Sequence, residues 1–379
     1  MDEERLPAVR YGNDAMPTGA NRPRSSSRAR DRSGLGTGTA FAVGGTPRMT
    51  RPFADLSPAG KQRRVARLAA EALRAYDLRV RSVRVHAFAT NLLYRVRTVA
   101  GERLMLRMAF PGWRTLADLR AEAAWLDALQ CDTDVGAPAV VRARDGEAVL
   151  ATRAPGVDGT WYATLMTWVD GRSLAHHLDD AHLARFGELF ARLHVHGQAW
   201  TPPAGFSERR FEAFLSRGEP DALFDGGAVD RLATDDRASF VRARAWVERA
   251  YAGLDRNDLR VIHCDLWHEN VKLHRGRLRP IDFEDTVWGY RLHDLAMGLL
   301  DLLETVGPER YPDLLAAFRG GYEGDLAWPA GSLEVLQIGR LLWQANYVAR
   351  FEAAAFGDMG ARLGRVFRRF EQEGTLRLG

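Results

Sequence analysis

Lysine is nearly absent from this chain of 379 residues: Lys61 and Lys272 are the only two among 53 basic residues, and arginine supplies the rest. A Walker A phosphate loop needs Gly-Lys before Ser or Thr, so that route to nucleotide binding is excluded. Cysteine is equally scarce, with only Cys131 and Cys264, far apart in sequence. Two such residues cannot build a disulfide framework, and thiols in a reducing compartment are expected. His263, Cys264 and His268 lack a second ligand pair at a zinc-binding spacing. No apolar run approaches the roughly 20 residues that cross a bilayer, and Asp2-Glu3-Glu4 reverses the basic start of a signal peptide. A cytoplasmic protein without membrane contact is expected. The formal charge of +4 is too mild to demand nucleic acid.

What the chain does have is 46% hydrophobic residues, enough for a sizeable core, on a length that suits two domains or one bilobal unit. Residues 1–56 are rich in Gly, Ser, Pro, Thr and Arg, above all between Arg22 and Arg32, and read as a disordered tail. Its arginines could touch nucleic acid or an anionic membrane, but no aromatic interleaves with them. A solvated tail or a misassigned start codon accounts for the stretch as well. Order is expected from Ser57-Pro58, an N-cap with Pro at the first helical position. Val65, Leu68, Ala72 and Tyr76 then follow helical spacing. Strand-like runs come next, at Val83 to Phe88, Leu92 to Val99 and Arg103 to Met108, and predict a small antiparallel sheet.

Chemistry is concentrated between His263 and Asp282. Val271 to His274 and Arg277 to Ile281 flank Arg275-Gly276, a tight-turn signal, and predict a hairpin. Such a hairpin sets Asn270 nearly opposite Asp282, and cross-strand partners lie roughly 5 Å apart. An amide oxygen and a carboxylate that close suit a hard, oxygen-seeking cation. Phosphoryl transfer needs Mg²⁺ on the phosphates and a carboxylate to orient the acceptor hydroxyl and take its proton. Asn270 and Asp282 fit the first task, and Asp265, one loop upstream, the second.

His263-Cys-Asp-Leu-Trp-His-Glu-Asn270, then Ile281-Asp282-Phe-Glu-Asp, then His293-Asp294-Leu-Ala follow the grammar of a kinase catalytic loop. The chain resembles the aminoglycoside phosphotransferase family, relatives of choline, homoserine and bacterial stress-response kinases, over about residues 60 to 350. The resemblance implies an α+β, bilobal, protein-kinase-like fold with a small antiparallel-sheet N-lobe (57–166) and a mostly helical C-lobe (167–379). It implies ATP and Mg²⁺, Asp265 as catalytic base, Asn270 and Asp282 as magnesium ligands, and Asp294 as a buried acid bracing the catalytic loop. His263 reads as structural support. The family usually has Gly where Cys264 stands and a small residue near Glu284, so this chain departs at both places.

By the same resemblance, Arg107 stands where a small lobe carries its phosphate-binding Lys, and Glu122, on a helix from Leu116 to Leu129, where the partner Glu would be. Arginine keeps the charge and can fork onto two phosphate oxygens; an ordinary strand-edge Arg is the alternative. A turn at Ala89-Thr90-Asn91 replaces any Gly-rich loop, with Asn91 placed to reach the nucleotide. Main-chain groups of Met166 to Trp168 would meet adenine, at the end of a β-rich run over Trp161 to Val169. Asp221, Asp225, Asp230, Asp235 and Asp236 read as a solvated loop face, although such acids, like Glu284 and Asp285, would also draw a cationic acceptor.

An ATP-dependent phosphotransferase acting on a hydroxyl is the leading expectation. A small amino alcohol or aminoglycoside fits the acidic surroundings; a protein Ser/Thr acceptor fits the stress-kinase branch suggested by Leu106-Arg-Met-Ala-Phe-Pro-Gly-Trp-Arg114. Arg107, Cys264 and the absent Gly loop leave a nucleotide-binding pseudokinase open. A nucleic-acid binder rests on the tail alone and ranks last.

Overall fold

The computed structural model describes residues 51–378 apart from 54, 89, 90, 208 and 217. Most of the expected tail, and Ala89 and Thr90 of the expected turn, therefore lie outside the described residues. The Ser57 hydroxyl accepts the Gly60 N–H at 3.2 Å and caps α1 (Pro58–Leu73). Proline at the first position lacks an N–H that the helix would leave unbonded anyway, so cap and ring fix the start together. Val65, Leu68 and Ala72 are buried along α1, and Tyr76 just beyond its end. Packing begins a little earlier than the sequence suggests. The Phe53 ring stands edge-on to Trp161 at 5.9 Å, and Arg64 donates to the Arg51 carbonyl.

The sheet holds the three expected strands and the β-rich run at Trp161 to Val169, and two short strands more. After β1 (Val80–Phe88), β2 (Asn91–Thr98) and β3 (Arg103–Ala109) comes α2 (Leu116–Asp132), and then β4 (Val140–Val141), β5 (Val149–Ala154) and β6 (Val157–Thr167). The strands lie in the order β1-β2-β3-β6-β4, with β5 also paired to β6, all antiparallel. β6 is buried on both faces because helices cover both. Trp161, Ala163 and Leu165 pack with the buried side of α1, while Tyr162 meets Leu119 and Ala123 of α2. Further along α2, Trp125, Leu126 and Leu129 join Met166 in the core of the helical half, so α2 ties the halves together.

We place the lobe boundary at the end of β6, where the chain turns from sheet to helix. There follow β7 (Arg172–Ser173), α3 (Asp180–Ala199), β8 (Arg210–Phe211), α4 (Thr234–Ala252) and β9 (Leu259–Ile262). The predicted hairpin is β10 (Val271–His274) and β11 (Arg277–Pro280), joined by Arg275 (φ 50°) and Gly276 (φ 77°), the two positive dihedrals of a mirror-image turn. β12 (Val287–Tyr290), α5 (Arg291–Glu323), α6 (Leu333–Phe351) and α7 (Phe356–Glu373) complete the chain, with α5 broken at Gly307 (φ 79°) before Pro308. Helix α5 lies directly on the loop before β10. A Cβ on Gly298 would stand 2.3 Å from the Leu266 carbonyl oxygen, so only glycine allows that approach. The whole is a bilobal α+β fold with an antiparallel-sheet lobe and a mostly helical lobe. Among the described residues, no helix is long and apolar enough to cross a membrane.

Because residues 1–50 carry little to bury, a chain beginning at Arg51 should keep the parent melting temperature. One beginning at Ser57 should melt lower, having lost the Phe53 ring. Thermal denaturation of the two truncations checks this, and a large drop on removing residues 1–50 would contradict it.

Candidate functional site

A cleft of about 320 Å³ runs between the lobes, lined by Asn91, Arg107, Glu122, Met166 and Trp168 from one side and Asp265 and Asp282 from the other. Seven of the residues singled out from sequence thus share one wall-to-wall space. His263 and Asp294 stand behind it as support, and Asn270, outside the lining, is bonded to Asp265.

Asp265 is half-buried at the end of the loop that follows β9. Its carboxylate and its carbonyl oxygen both accept from the Asn270 side-chain amide, each at 3.0 Å. That arrangement spends the amide nitrogen of Asn270 on Asp265 and leaves its oxygen as the unspent acceptor. Burial, then the Asp285 carboxylate, raise the Asp265 carboxyl well above its ordinary range, although Arg340 opposes them. The residue opposite Asn270 is Ile281, whose N–H donates to the Asn270 carbonyl at 2.8 Å, one position short of the Asp282 expected. Strand alternation would turn Asp282 away from the face that Asn270 shares. Its left-handed backbone (φ 66°, ψ 59°) breaks the alternation, and Asp282 lines the cleft. Asp282 is open to solvent by area, yet crowding by the cleft and then the Glu284 carboxylate push its carboxyl up to about 7, with Arg107 pulling the other way.

His263 and Asp294 hold this loop from below. His263 is fully buried, its Nδ1 accepts the Asp265 N–H at 3.3 Å, and its Nε2 donates to the Ile281 carbonyl at 3.0 Å. One neutral ring therefore spans both sides of the hairpin base, and burial lowers its pKa in keeping with that state. Asp294, at the start of α5, accepts the Cys264 N–H at 2.7 Å and a hydrogen bond from His194 at 3.0 Å. Burial works against its charge, but His194 and the Cys264 amide outweigh burial and hold the carboxyl below its usual value. Cys264 itself has φ 65°, a conformation in which glycine carries no strain and other residues cost on the order of 1–3 kcal/mol.

Arg107 and Glu122 meet as expected, but more completely than a phosphate clamp allows. Both guanidinium arms close on the Glu122 carboxylate, one at 3.0 Å, and the Nη1 arm also lies 3.6 Å from Glu284. Arg107 is only 3% exposed and its Nε is sealed from solvent. Burial disfavours the charge, yet Glu122 and Glu284 outweigh it and hold the guanidinium more firmly protonated. Burial also raises the Glu122 carboxyl against the pull of Arg107; two parallel N–H···O contacts are the geometry of an ionised pair, and we read it so. The fork expected to grip phosphate oxygens is thus occupied by carboxylate. Asn91 is likewise committed, since its amide donates to Glu284.

Sequence reasoning missed how Trp113, Arg114, Glu284 and Asp285 combine. The Trp113 indole N–H donates to Glu284, and Arg114 pairs with Asp285 while lying 3.6 Å from Glu284. Two adjacent acids beside a metal-ligand candidate demand counter-charge, a signal that could have prompted a search for an arginine partner. At the other end of the cleft, the N–H groups of Thr167 and Trp168 are spent on the carbonyls of Ala139 (2.8 Å) and Arg103 (3.0 Å). Val169 also lines the cleft, and its N–H makes no hydrogen bond among the described residues. The five aspartates between 221 and 236 are absent from the cleft lining, and Asp236 is buried and paired with Arg368 rather than solvated.

Two outcomes follow from this wiring. Removing Arg107 strands buried carboxylates, so Arg107→Met should lose about 3–5 kcal/mol of stability, where an exposed clamp would lose almost none. Glu122→Gln should cost less, and chemical denaturation of the double variant should show coupling of roughly 0.5–3 kcal/mol. Additive effects would rule the shared pair out. The second outcome concerns acid. His194 has a lowered pKa through burial, so the fold loses stability as pH falls below the ordinary 6.5 of an unfolded histidine. Asp294, also lowered, loses its contribution as pH falls further, from the ordinary 3.8 toward its folded value. Urea unfolding of Asp294→Asn against pH should show the lower step flattened and about 2–3 kcal/mol lost near neutrality; an unchanged acid limb would contradict the brace.

Comparison with known proteins agrees with this geometry. The model of the phosphotransferase enzyme family, APH, matches residues 82–330. A microcompartment-associated aminopropanol kinase superposes with a TM-score of 0.66 at 23% identity, over 83% of this chain and 100% of that one. Amicoumacin kinase hAmiN, solved with AMP-PNP, Ca²⁺ and Ami, gives 0.66 at 15% identity, over 83% and 96%. A choline/ethanolamine kinase family protein from Mesorhizobium loti gives 0.53 at 20%, over 83% and 96%. These likenesses establish a kinase-like fold. An uncharacterized protein of Synechocystis sp., sll1119, is 33% identical over 112 residues, and the match spans 30% of that protein's length. With well over half of its length matched by the family model, the chain belongs to the phosphotransferase enzyme family.

Proposed function

We propose that this protein transfers the γ-phosphate of ATP to a hydroxyl group of a small, cationic acceptor of amino alcohol or aminoglycoside type. The observation that carries this reading is a cleft lined at one end by Asp282 and by Asp265, which Asn270 holds, and at the other by Met166, Trp168 and Val169, whose N–H makes no hydrogen bond among the described residues. The donor set suits Mg²⁺. An Asp282 carboxylate crowded by acids and an Asn270 oxygen left over from bonding Asp265 are hard oxygen ligands in need of positive charge. When bound there, the metal would neutralise phosphate charge.

Asp265 receives the acceptor's proton. Its raised pKa makes its carboxylate a stronger base than a solvated aspartate, and the Asn270 amide together with the His263-bonded backbone fixes its direction. The acceptor's charge has partners close by. Asp301 and Glu304 on α5 lie in the same acidic field, pushed by burial to about 6 and about 8, with Arg340 tempering both. An ammonium group brought among them would favour the charged form of both carboxyls, Glu304 above all, and so an amine-bearing acceptor over a neutral alcohol. The named neighbours support this choice, since they are kinases of aminopropanol and of amicoumacin.

The test is ADP release by the purified protein with Mg-ATP and panels of amino alcohols, aminoglycosides and Ser/Thr peptides. Stimulation by an amine-bearing small molecule is expected; stimulation by peptides alone, or by nothing despite intact nucleotide binding, would overturn the reading. With the acceptor in hand, Asp265→Asn should lower turnover by about 10²- to 10⁴-fold while Mg-ATP affinity changes little. A near-parental rate would remove Asp265 from the chemistry.

A further inference from the structure

We infer that Lys272 grips the α-phosphate of the bound nucleotide, making the contact that the enclosed Arg107 fork cannot make. The inference rests on the nucleotide-binding reading above and adds a residue to it. Three permanently cationic side chains line the cleft: Arg107, Arg114 and Lys272. Arg107 is closed on Glu122, and Arg114 on Asp285. The Lys272 side chain makes no hydrogen bond or ion pair among the described residues, although it is half-buried. An ammonium held partly out of water without a partner is costly unless a ligand supplies the acceptor.

Its position selects which ligand group that is. Lys272 stands on β10 opposite Arg279 of β11, two residues before Ile281, and the strand's period of two keeps Lys272 on the face of Ile281, which lines the cleft beside Asp282. At the other end, its Cβ lies 3.0 Å from where a Cβ on Gly171 would be, just past Val169. Lys272 is therefore midway between the segment that faces the base and the carboxylates that face the terminal phosphates. A nucleotide laid along the cleft places its sugar and first phosphate across that midpoint. Of these, only the phosphate carries charge, and a compact ammonium on a four-carbon stem suits a single phosphate group. The surrounding carboxylates do not serve instead: Glu269, the acid nearest in its influence, is exposed and lies beyond ion-pair distance.

Competition against a fluorescent ATP analogue, using adenosine, AMP and ADP as competitors, separates the possibilities. Lys272→Met should leave adenosine affinity unchanged and weaken AMP and ADP by about 10- to 100-fold, the range for loss of one charge-assisted contact. Lys272→Arg should restore most of the loss, and both variants should keep the parent melting temperature. Equal weakening of adenosine would show that Lys272 reads the base or sugar, overturning the inference, as would unchanged affinity for all three. Failure of the parent protein to bind any nucleotide would overturn the broader reading, and this one with it.

Discussion

Unbalanced negative charge in a confined space governs this cleft. Glu122, Glu284 and Asp285 are buried against Arg107 and Arg114, while Asp265 and Asp282 share the same cavity with no ion pair to an arginine among the described residues. Buried ion pairs add little stability over apolar packing, because desolvation offsets their attraction. Their effect here is geometric. Arg107 is on β3, Glu122 on α2, Arg114 in the connection between them, and Glu284 with Asp285 in the turn after Asp282, so the pairs lock segments of both lobes into one register. On the function proposed above, cations arriving with a ligand, a metal on the phosphates or an amine on the acceptor, would complete the charge balance.

That lock would be useless if the catalytic loop could drift. Two residues there, Cys264 and Asp282, hold left-handed backbones that neither prefers. Such strain survives only where the surroundings over-determine it. Asp294 anchors the amide of Cys264, Phe283 packs on His263 at 4.5 Å and edge-on against Trp125 at 5.4 Å, and His263 ties Asp265 to Ile281. Each strained residue is flanked by a buried, hydrogen-bonded or aromatic clamp. The reward is that the two carboxylates point into the cleft.

The parts of this site that were legible in the sequence are those fixed by short-range rules. Ser57-Pro58 starts a helix because cap and ring act within one turn, and Arg275-Gly276 turns a hairpin because its dihedrals are local. The catalytic-loop residues sit within a few positions of one another and keep their spacing in space. What stayed hidden depends on partners far along the chain. Trp113 and Glu284 are 171 residues apart, as are Arg114 and Asp285, and nothing in a one-dimensional pattern pairs them. The two-residue turn sets Asn270 against Ile281, next to the Asp282 expected nearly opposite, and the left-handed backbone that brings Asp282 into the cleft cannot be read from residue type. Asp236 looked solvated for want of Arg368, 132 positions away.

The near-absence of lysine explains why the cleft is wired this way. A guanidinium is weakly hydrated, planar and five-donored, so it enters a carboxylate-rich interior readily and is held there by matched pairs. Placing arginine at position 107 therefore favours a closed ion pair over an outstretched cation. An ammonium is hydrated more strongly and has no fork to match, so it resists such enclosure and keeps its charge near open space. In a chain with only two lysines, one on the first helix and one on the wall of this cleft, the inferred division of labour accords with that chemistry: arginines join the lobes, and the cation left for a ligand is the lysine whose side chain makes no ion pair among the described residues.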